Sequence, residues 1–214
     1  KTGPWGQGPT FLQQLALLKE FDLDSLDENS PEFVHLVVEA TKLAFADREA
    51  FYGDTNFNDV PMNILLSEDY NTERRNLISK EASMEVRPGV IAGYGGNVLV
   101  RPKGGTPESF SKFDIGEPTV ARFDEPNPTS LGDTKGDTTH FDIIDKWGNM
   151  IAGTPSGGWL QSSPIIPSLG FCLSNRGQMF WLDKNSPACI GPKRRPRTTL
   201  SPSLALKDGL PYMV

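Results

Sequence analysis

The stretch Lys135–Ile144 reads KGDTTHFDII and divides the chain into two parts of different character. Upstream of it, apolar residues recur at helical spacing, and a long segment rich in Pro, Gly, Asn and Asp follows them. Downstream, apolar and polar residues alternate with the period of two that is typical of strands. The sequence therefore predicts a helical part with a flexible approach segment at 1–137 and a β-rich part at 138–214.

The charged residues divide at the same point. Of the 21 basic side chains, 13 lie at 1–137 and 8 at 138–214, and of the 27 acidic side chains, 23 lie at 1–137 and 4 at 138–214. This asymmetry predicts that the two parts attract each other. The basic run KRRPR at Lys193–Arg197 is short and stands in an acidic chain, so we expect no nucleic acid as a partner.

Composition excludes several classes of protein. The chain has 214 residues with 37% hydrophobic content, which is ordinary for a globular core. It contains no apolar run of about 18 residues and no signal-peptide pattern, so no membrane span is expected. Two cysteines and two histidines predict neither a disulfide framework nor a metal site. The missing initial Met indicates a piece of a longer polypeptide, and the compartment stays open.

Helical spacing in the first part predicts three helices. The first follows Thr10 as its N-cap and presents an apolar face of Phe11, Leu15 and Leu18. The second begins with Ser30 as cap and Pro31 at its first position, and it ends by Gly53. A third, short helix is expected within Ser67–Ile78.

The second part carries strand and turn signals. THFDIID and MIAGTP are predicted strands joined by the turn DKWGN, where Gly148 and Asn149 tolerate a positive φ. LGFCLSN, MFWL and TTLSPSLALKD are further strand candidates. Thr138 therefore opens a β-rich segment.

Thr138 also has the chemistry of an N-terminal nucleophile. A threonine hydroxyl needs a base beside it, and an N-terminal threonine supplies one as its own α-amine. Attack of the Thr138 hydroxyl on the carbonyl of Asp137 would produce an ester by an N-to-O shift, and hydrolysis of the ester would release that terminus. The alternative reading is that Thr138 and Thr139 are ordinary β-formers at the start of a strand.

Several motifs in their order resemble the γ-glutamyltransferase (γ-glutamyltranspeptidase) family of N-terminal nucleophile hydrolases. They are GPTFLQQLALL, KLAFADREAFYGD, VRPG, TTHFDIIDKWGN and GPKRRPRTTLSPSLALKDG. The resemblance implies an α+β fold, a four-layer αββα sandwich, of which this chain holds a part. It also implies that 1–137 ends a large subunit, that 138–214 begins a small subunit, and that the two form a heterodimer from one precursor. No metal and no organic cofactor are implied.

The resemblance assigns roles to individual positions. Thr138 is similar to the family's nucleophile, with the cleavage site between Asp137 and Thr138, and Ser156 matches an assisting hydroxyl 18 residues later. Thr198 and Thr199 stand where the family has paired serines that bind the substrate carboxylate. Taken without the resemblance, Ser156 is a turn residue, and Thr198 and Thr199 are strand positions.

Three departures from the family pattern concern the substrate. Gly158 replaces an asparagine, and Arg176 and Met179 replace a glutamine and an aspartate that grip the α-amino group of a glutamyl substrate. Arg176 would repel that ammonium and suit an anionic group instead. The alternative for Arg176 is a surface residue in the turn SNRGQ.

The sequence thus predicts a self-cleaving threonine amidohydrolase or acyltransferase that acts, through an acyl-threonine intermediate, on a small carboxylate-bearing amide. One alternative is a true γ-glutamyltranspeptidase (glutathione hydrolase). The other is a processed but inactive relative that serves as a scaffold.

Overall fold

The computed structural model of the chain describes residues 1–94, 139–156, 164–174 and 176–214, and of Cys172 and Gln178 it describes the backbone alone. The chain forms two compact units, one of Lys1–Val100 with Trp181–Ser201 and one of Arg101–Phe180 with Pro202–Val214. The first unit therefore combines residues from both sides of Thr138. Among the described helices, none has the length and apolarity needed to cross a membrane.

Helix α1 spans Gly8–Leu18, so the predicted cap at Thr10 is wrong. Pro9 sits in the first turn, where its missing N–H costs nothing, and the helix therefore begins earlier. The predicted apolar face is also wrong in part, because Phe11 and Leu15 are exposed while Leu18 is buried. The buried face carries Thr10, Gln13 and Leu17.

Helix α2 spans Pro31–Phe51 and confirms the predicted start. The Ser30 hydroxyl accepts a hydrogen bond of 3.2 Å from the N–H of Phe33, which satisfies one of the unpaired donors of the first turn. Its inner face packs against α1, and this contact forms a core of Leu17, Leu18, Ala40, Leu43 and Ala44. A second core joins the end of α2 to the residues after it, with Phe51, Tyr52, Leu65, Tyr70 and Ile91 among its members.

Gly53 follows α2 and is required for a close approach. A Cβ atom at Gly53 would overlap the carbonyl oxygen of Pro187, so only glycine allows this contact. Two short helices follow, α3 at Met62–Leu65 and α4 at Glu68–Arg75, and α4 confirms the helix expected within 67–78. The Ser67 hydroxyl caps α4.

A buried carboxylate on α2 ties three other segments of the first unit to that helix. Asp47 on α2 is 0% exposed and accepts hydrogen bonds from Gln13 Nε2 at 2.7 Å, Tyr70 OH at 3.0 Å, Arg74 Nη2 at 3.2 Å and the N–H of Gly89 at 2.7 Å. Burial raises the pKa of the Asp47 carboxyl, and the Arg74 guanidinium acts in the opposite direction. The bond to Asp47 explains why α1 turns the polar side chain of Gln13 inward.

The described residues of the second unit form three antiparallel hairpins. Strand β1 (Phe141–Ile144) pairs with β2 (Met150–Gly153), and Gly148 in the turn between them has a φ of 84°, as predicted. Strands β3 (Ile165–Ile166) and β4 (Phe171–Cys172) form the second hairpin, and β5 (Ala205–Lys207) and β6 (Leu210–Met213) form the third.

One predicted strand is wrong. MFWL does not form a strand, because a 3₁₀ helix occupies Arg176–Met179 and Trp181 makes only an isolated bridge with Cys189. The described residues thus combine helices with short hairpins. The strands of the second unit expose much of their apolar surface, including Phe141, Ile143 and Ile151.

Candidate functional site

The hairpin of β1 and β2 extends beyond its strands toward Ser156. Phe141 pairs with Gly153, and two residues further out the N–H of Thr139 donates to the carbonyl of Pro155 over 3.2 Å. Ser156, the predicted assisting hydroxyl, is the next residue on this side and is half-buried. The other predicted residues of this region, Asp137, Thr138 and Gly158, lie outside the described residues.

A group of polar side chains that the sequence reasoning missed lies along this hairpin. His140 Nδ1 lies 2.6 Å from Thr154 Oγ1, and His140 Nε2 lies 2.9 Å from an oxygen of Asp142. The contact between His140 and Asp142 fits strand geometry, in which residues two apart share one face. Ser156 follows Thr154 at the same spacing. The alternation THFD followed by TPS could have indicated this shared polar face.

Arg176 lies beside Ser156. Its Nη2 donates a hydrogen bond of 2.8 Å to Ser156 Oγ, and the arginine is 8% exposed. Arg176 is therefore a buried residue at the start of the 3₁₀ helix, and the alternative of a surface turn residue is wrong. The structure thus brings together two of the residues that were predicted for the site. No three His, Cys, Asp or Glu side chains in the described ranges are grouped so as to hold a metal ion.

Thr198 and Thr199 belong to the first compact unit, whereas Ser156 and Arg176 belong to the second. Thr198 is 5% exposed, and its Oγ1 accepts a hydrogen bond of 3.3 Å from the N–H of Leu200. Thr199 is half-buried and is the more accessible member of the pair. Neither forms part of a strand, because β5 begins only at Ala205.

The basic run before these threonines pairs with carboxylates that lie far away in the sequence. Arg195 donates to Asp54 from its backbone N–H at 2.8 Å and from Nη2 at 3.0 Å, and Arg197 Nη2 donates to Glu49 at 2.9 Å. Arg195 also stacks over the ring of Trp5. The predicted attraction between the acidic and basic parts is thus realised within the first unit by specific ion pairs.

The bond from Arg195 makes the stability of this unit sensitive to acid. It lowers the pKa of the Asp54 carboxyl to about 2, whereas an unfolded aspartate titrates near about 3.9. The folded carboxyl therefore binds its proton less readily than the unfolded one. The stabilisation is complete above about pH 4 and is lost as the pH falls toward 2.

We accordingly expect Asp54→Asn to lower the free energy of unfolding at pH 7 by about 1–2 kcal/mol, a value reduced because Arg195 is half exposed. The deficit should shrink as the pH falls from 4 to 2. Urea unfolding at several pH values measures it, with the exposed Asp24→Asn as the matched control. A deficit that stays constant between pH 7 and pH 2 would contradict the assignment.

The chain matches the family model described as Gamma-glutamyltranspeptidase over residues 1–214. It is 30% identical over 214 residues to the glutathione hydrolase proenzyme of Bacillus subtilis subsp. natto, a match that covers 99% of this chain and 33% of that protein. It is 28% identical to the Acylase ACY 1 proenzyme of Pseudomonas sp. strain SE83, over 96% of this chain and 30% of that protein. The chain thus spans about a third of the length of these relatives.

Solved structures agree with this relationship. The structure of LmbA2991T421A is 46% identical, with a TM-score of 0.73 over 98% of this chain and 32% of that one. The cephalosporin acylase from Bacillus halodurans is 24% identical with a TM-score of 0.63, over 98% of this chain and 30% of that one, and it shows the likeness of fold alone. The match along the whole sequence and the agreement with these structures lead to one conclusion: the chain belongs to the gamma-glutamyltranspeptidase family.

Proposed function

We propose that the protein containing this chain is a self-cleaving amidohydrolase or acyltransferase with Thr138 as its N-terminal nucleophile. The names of the relatives, which are hydrolases and acylases described as proenzymes, support the reaction class and the processing. In this proposal 1–137 ends the large subunit and 138–214 begins the small one. The four-layer αββα sandwich is proposed for the assembled protein, where further layers would cover the exposed apolar faces of the hairpins.

The observation that supports the proposal most directly is the backbone hydrogen bond from Thr139 to Pro155, which extends the pairing of β1 with β2. Its register continues that of Phe141 and Gly153, so the described part of the hairpin ends with Thr139 bonded to Pro155 and with Ser156 as the following residue. Thr139 directly follows Thr138 in the sequence, and Ser156 carries the hydroxyl to which the proposal assigns the assisting role. The hairpin thus supports a site to which both parts of the sequence contribute.

The chemistry follows in two stages. In the first, the Thr138 hydroxyl attacks the carbonyl of Asp137, the peptide nitrogen leaves as the α-amine, and water hydrolyses the resulting ester to free a carboxylate. In the second, the α-amine takes the hydroxyl proton while the hydroxyl attacks a substrate amide. The amine of the substrate departs with a proton, and water or an acceptor amine resolves the acyl-threonine. Ser156 assists both stages through its hydroxyl.

Arg176 supports a carboxylate-bearing substrate. Its guanidinium lies beside Ser156 and is buried, so its positive charge acts in a region of low dielectric. A guanidinium has five N–H donors, so the bond to Ser156 is compatible with a carboxylate contact. A γ-glutamyl ammonium placed there would meet a like charge. Thr198 and Thr199 are proposed, as the resemblance implies, to bind a substrate carboxylate through their hydroxyls.

The first experiment is the intact mass and N-terminal sequencing of the full-length protein after incubation at neutral pH. We expect two polypeptides, one of which begins TTHFD. A substrate panel of γ-glutamyl-p-nitroanilide, aliphatic acyl amides and oxamate amides then separates the alternatives. Strong turnover of γ-glutamyl-p-nitroanilide would favour a true γ-glutamyltranspeptidase, and an uncut chain without turnover would favour an inactive scaffold.

Replacement of Arg176 tests the substrate assignment separately. We expect Arg176→Gln to lower kcat/KM for the best carboxylate-bearing amide by about 10- to 100-fold, which corresponds to a lost hydrogen bond to a charged group. Turnover of an uncharged acyl amide should change much less. Lys146→Gln, an exposed cation in the same unit, is the matched control. An equal loss for charged and uncharged amides would reject a role in substrate selection.

A further inference from the structure

A charged cluster at the C-terminal end of α2 reaches the segment that carries Thr198. Arg48 and Glu49 are neighbours in the last turn of α2, and Arg48 Nη1 lies 3.2 Å from Glu49 Oε1. Arg197 Nη2 donates to the other oxygen, Glu49 Oε2, at 2.9 Å. The carboxylate of Glu49 therefore bridges two guanidinium groups, and we refer to these three residues as the bridging cluster.

The position of Glu49 is electrostatically unfavourable for the helix itself. The C-terminal end of a helix carries a partial negative charge, which disfavours an acidic side chain in the last turn. The two arginines of the bridging cluster are each 4% exposed, and cations buried this deeply need an anion beside them. Glu49 therefore compensates the charges of the two arginines and does not stabilise α2.

The backbone of Thr198 is held by residues that precede the predicted cut. Its N–H donates to the carbonyl of Trp5 over 2.8 Å, and its carbonyl accepts a hydrogen bond of 3.4 Å from Arg48 Nη2. The neighbouring contact from the N–H of Gln7 to the carbonyl of Leu200 continues the same pairing at 3.4 Å. Both polar backbone groups of Thr198 are thus bonded to the first part of the chain.

We propose that the bridging cluster is a positioning element for the pair Thr198 and Thr199, and that two of its members, Arg48 and Glu49, come from the other side of the predicted cleavage site. The inference rests on the proposed function, since it takes this pair as contacts of a substrate carboxylate. The cluster acts through the threonine backbone and does not itself touch substrate. After self-cleavage, the contact of Glu49 with Arg197 and that of Arg48 with Thr198 each join two polypeptides, so the large subunit sets the geometry of a binding element in the small one.

Glu49→Gln tests this role because it keeps the shape of the side chain and removes its charge. We expect KM for a carboxylate-bearing amide to rise about 5- to 20-fold while kcat stays within about twofold, as for a loss of binding that is equal in ground and transition states. Self-cleavage should proceed at the rate of the unaltered protein. An unchanged KM in an active protein would overturn the inference.

A double-mutant cycle separates a shared role from two independent ones. Arg197→Gln should raise KM to a similar extent, and combining it with Glu49→Gln should cost no more than the worse single change, because both act through one contact. Glu73→Gln removes an exposed glutamate on α4 and should leave KM unchanged. Additive effects of Glu49→Gln and Arg197→Gln would reject the bridging cluster as a unit.

Hydrogen exchange tests the positioning without any turnover. In Glu49→Gln, amide exchange at Thr198 and Leu200 should be about tenfold faster or more, with exchange in α4 unchanged. If the unaltered protein neither cleaves itself nor turns over the panel, the proposed function fails, and this exchange measurement still decides whether the cluster holds the segment. Unchanged exchange at Thr198 would overturn the positioning role whatever the activity.

Discussion

Replacing Thr138 by alanine is expected to leave the full-length protein as one uncut polypeptide and to lower turnover by roughly 10³-fold or more, as the loss of a covalent nucleophile does elsewhere. Without the hydroxyl, no N-to-O shift can occur at Asp137, so the α-amine that serves as the base is never released. Both losses have one cause. Denaturing electrophoresis with intact mass measures the first loss, and the rate on the best amide of the panel measures the second.

Thr139→Ala is the matched control for this change. Thr139 is an adjacent, exposed threonine whose backbone N–H bonds to Pro155, and alanine keeps that N–H. We expect this variant to cleave and turn over as the unaltered protein does. Intact cleavage and turnover in Thr138→Ala would refute the proposed mechanism, and equal losses in both variants would indicate a disturbed strand rather than a missing nucleophile.

Asp47→Asn is expected to have the largest effect on stability, a loss of about 3–5 kcal/mol in the free energy of unfolding. The carboxylate is fully buried and accepts bonds from Gln13, Tyr70, Arg74 and the N–H of Gly89. An amide in its place cannot accept all four, and it leaves the buried Arg74 cation without its counter-charge. Because domains are stable by only about 5–15 kcal/mol, this is a large share of the total.

Urea unfolding of the uncut Thr138→Ala protein measures this effect on a single polypeptide. Asp69→Asn on α4 makes the same chemical change at an exposed position and should cost less than about 1 kcal/mol. A cost for Asp47→Asn as small as that of the control would show that the four donors are satisfied in another way. A protein that fails to fold at all would agree with the prediction.

Helices α1 and α2 differ in how well the sequence predicts them. Ser30, Pro31 and Phe33 make the start of α2 through contacts within four residues, and this start is confirmed. In α1 the apolar spacing predicts that Phe11 and Leu15 face the core. Gln13 faces the core instead, because its side chain donates a hydrogen bond to the buried Asp47. A buried polar contact of this kind has no local signature, since its partner lies on another helix.

In the candidate site, too, the local structure could be predicted from the sequence, whereas a contact between distant residues could not. Strand alternation and a glycine at position 148 were enough to predict the hairpin that ends at Ser156. MFWL has the composition of a strand, yet its first residue, Met179, belongs to a 3₁₀ helix whose Arg176 is buried beside Ser156. The contact between Arg176 and Ser156 spans 20 residues of sequence, so the local preference for strand gives no sign of it.

The sequence by itself determined what depends on neighbours a few residues away: the capped start of α2, the turn at Gly148, the hairpin, and the ordered motifs that identify the family. Only the tertiary structure decided which polar groups are buried together, such as Asp47 with Arg74, and Glu49 with Arg197. The physical reason is that capping and turn formation depend on local backbone hydrogen bonds and φ angles. A charge is buried only where a partner compensates its lost hydration, and in these two pairs the partner is distant in sequence, so it is known only once the chain has folded.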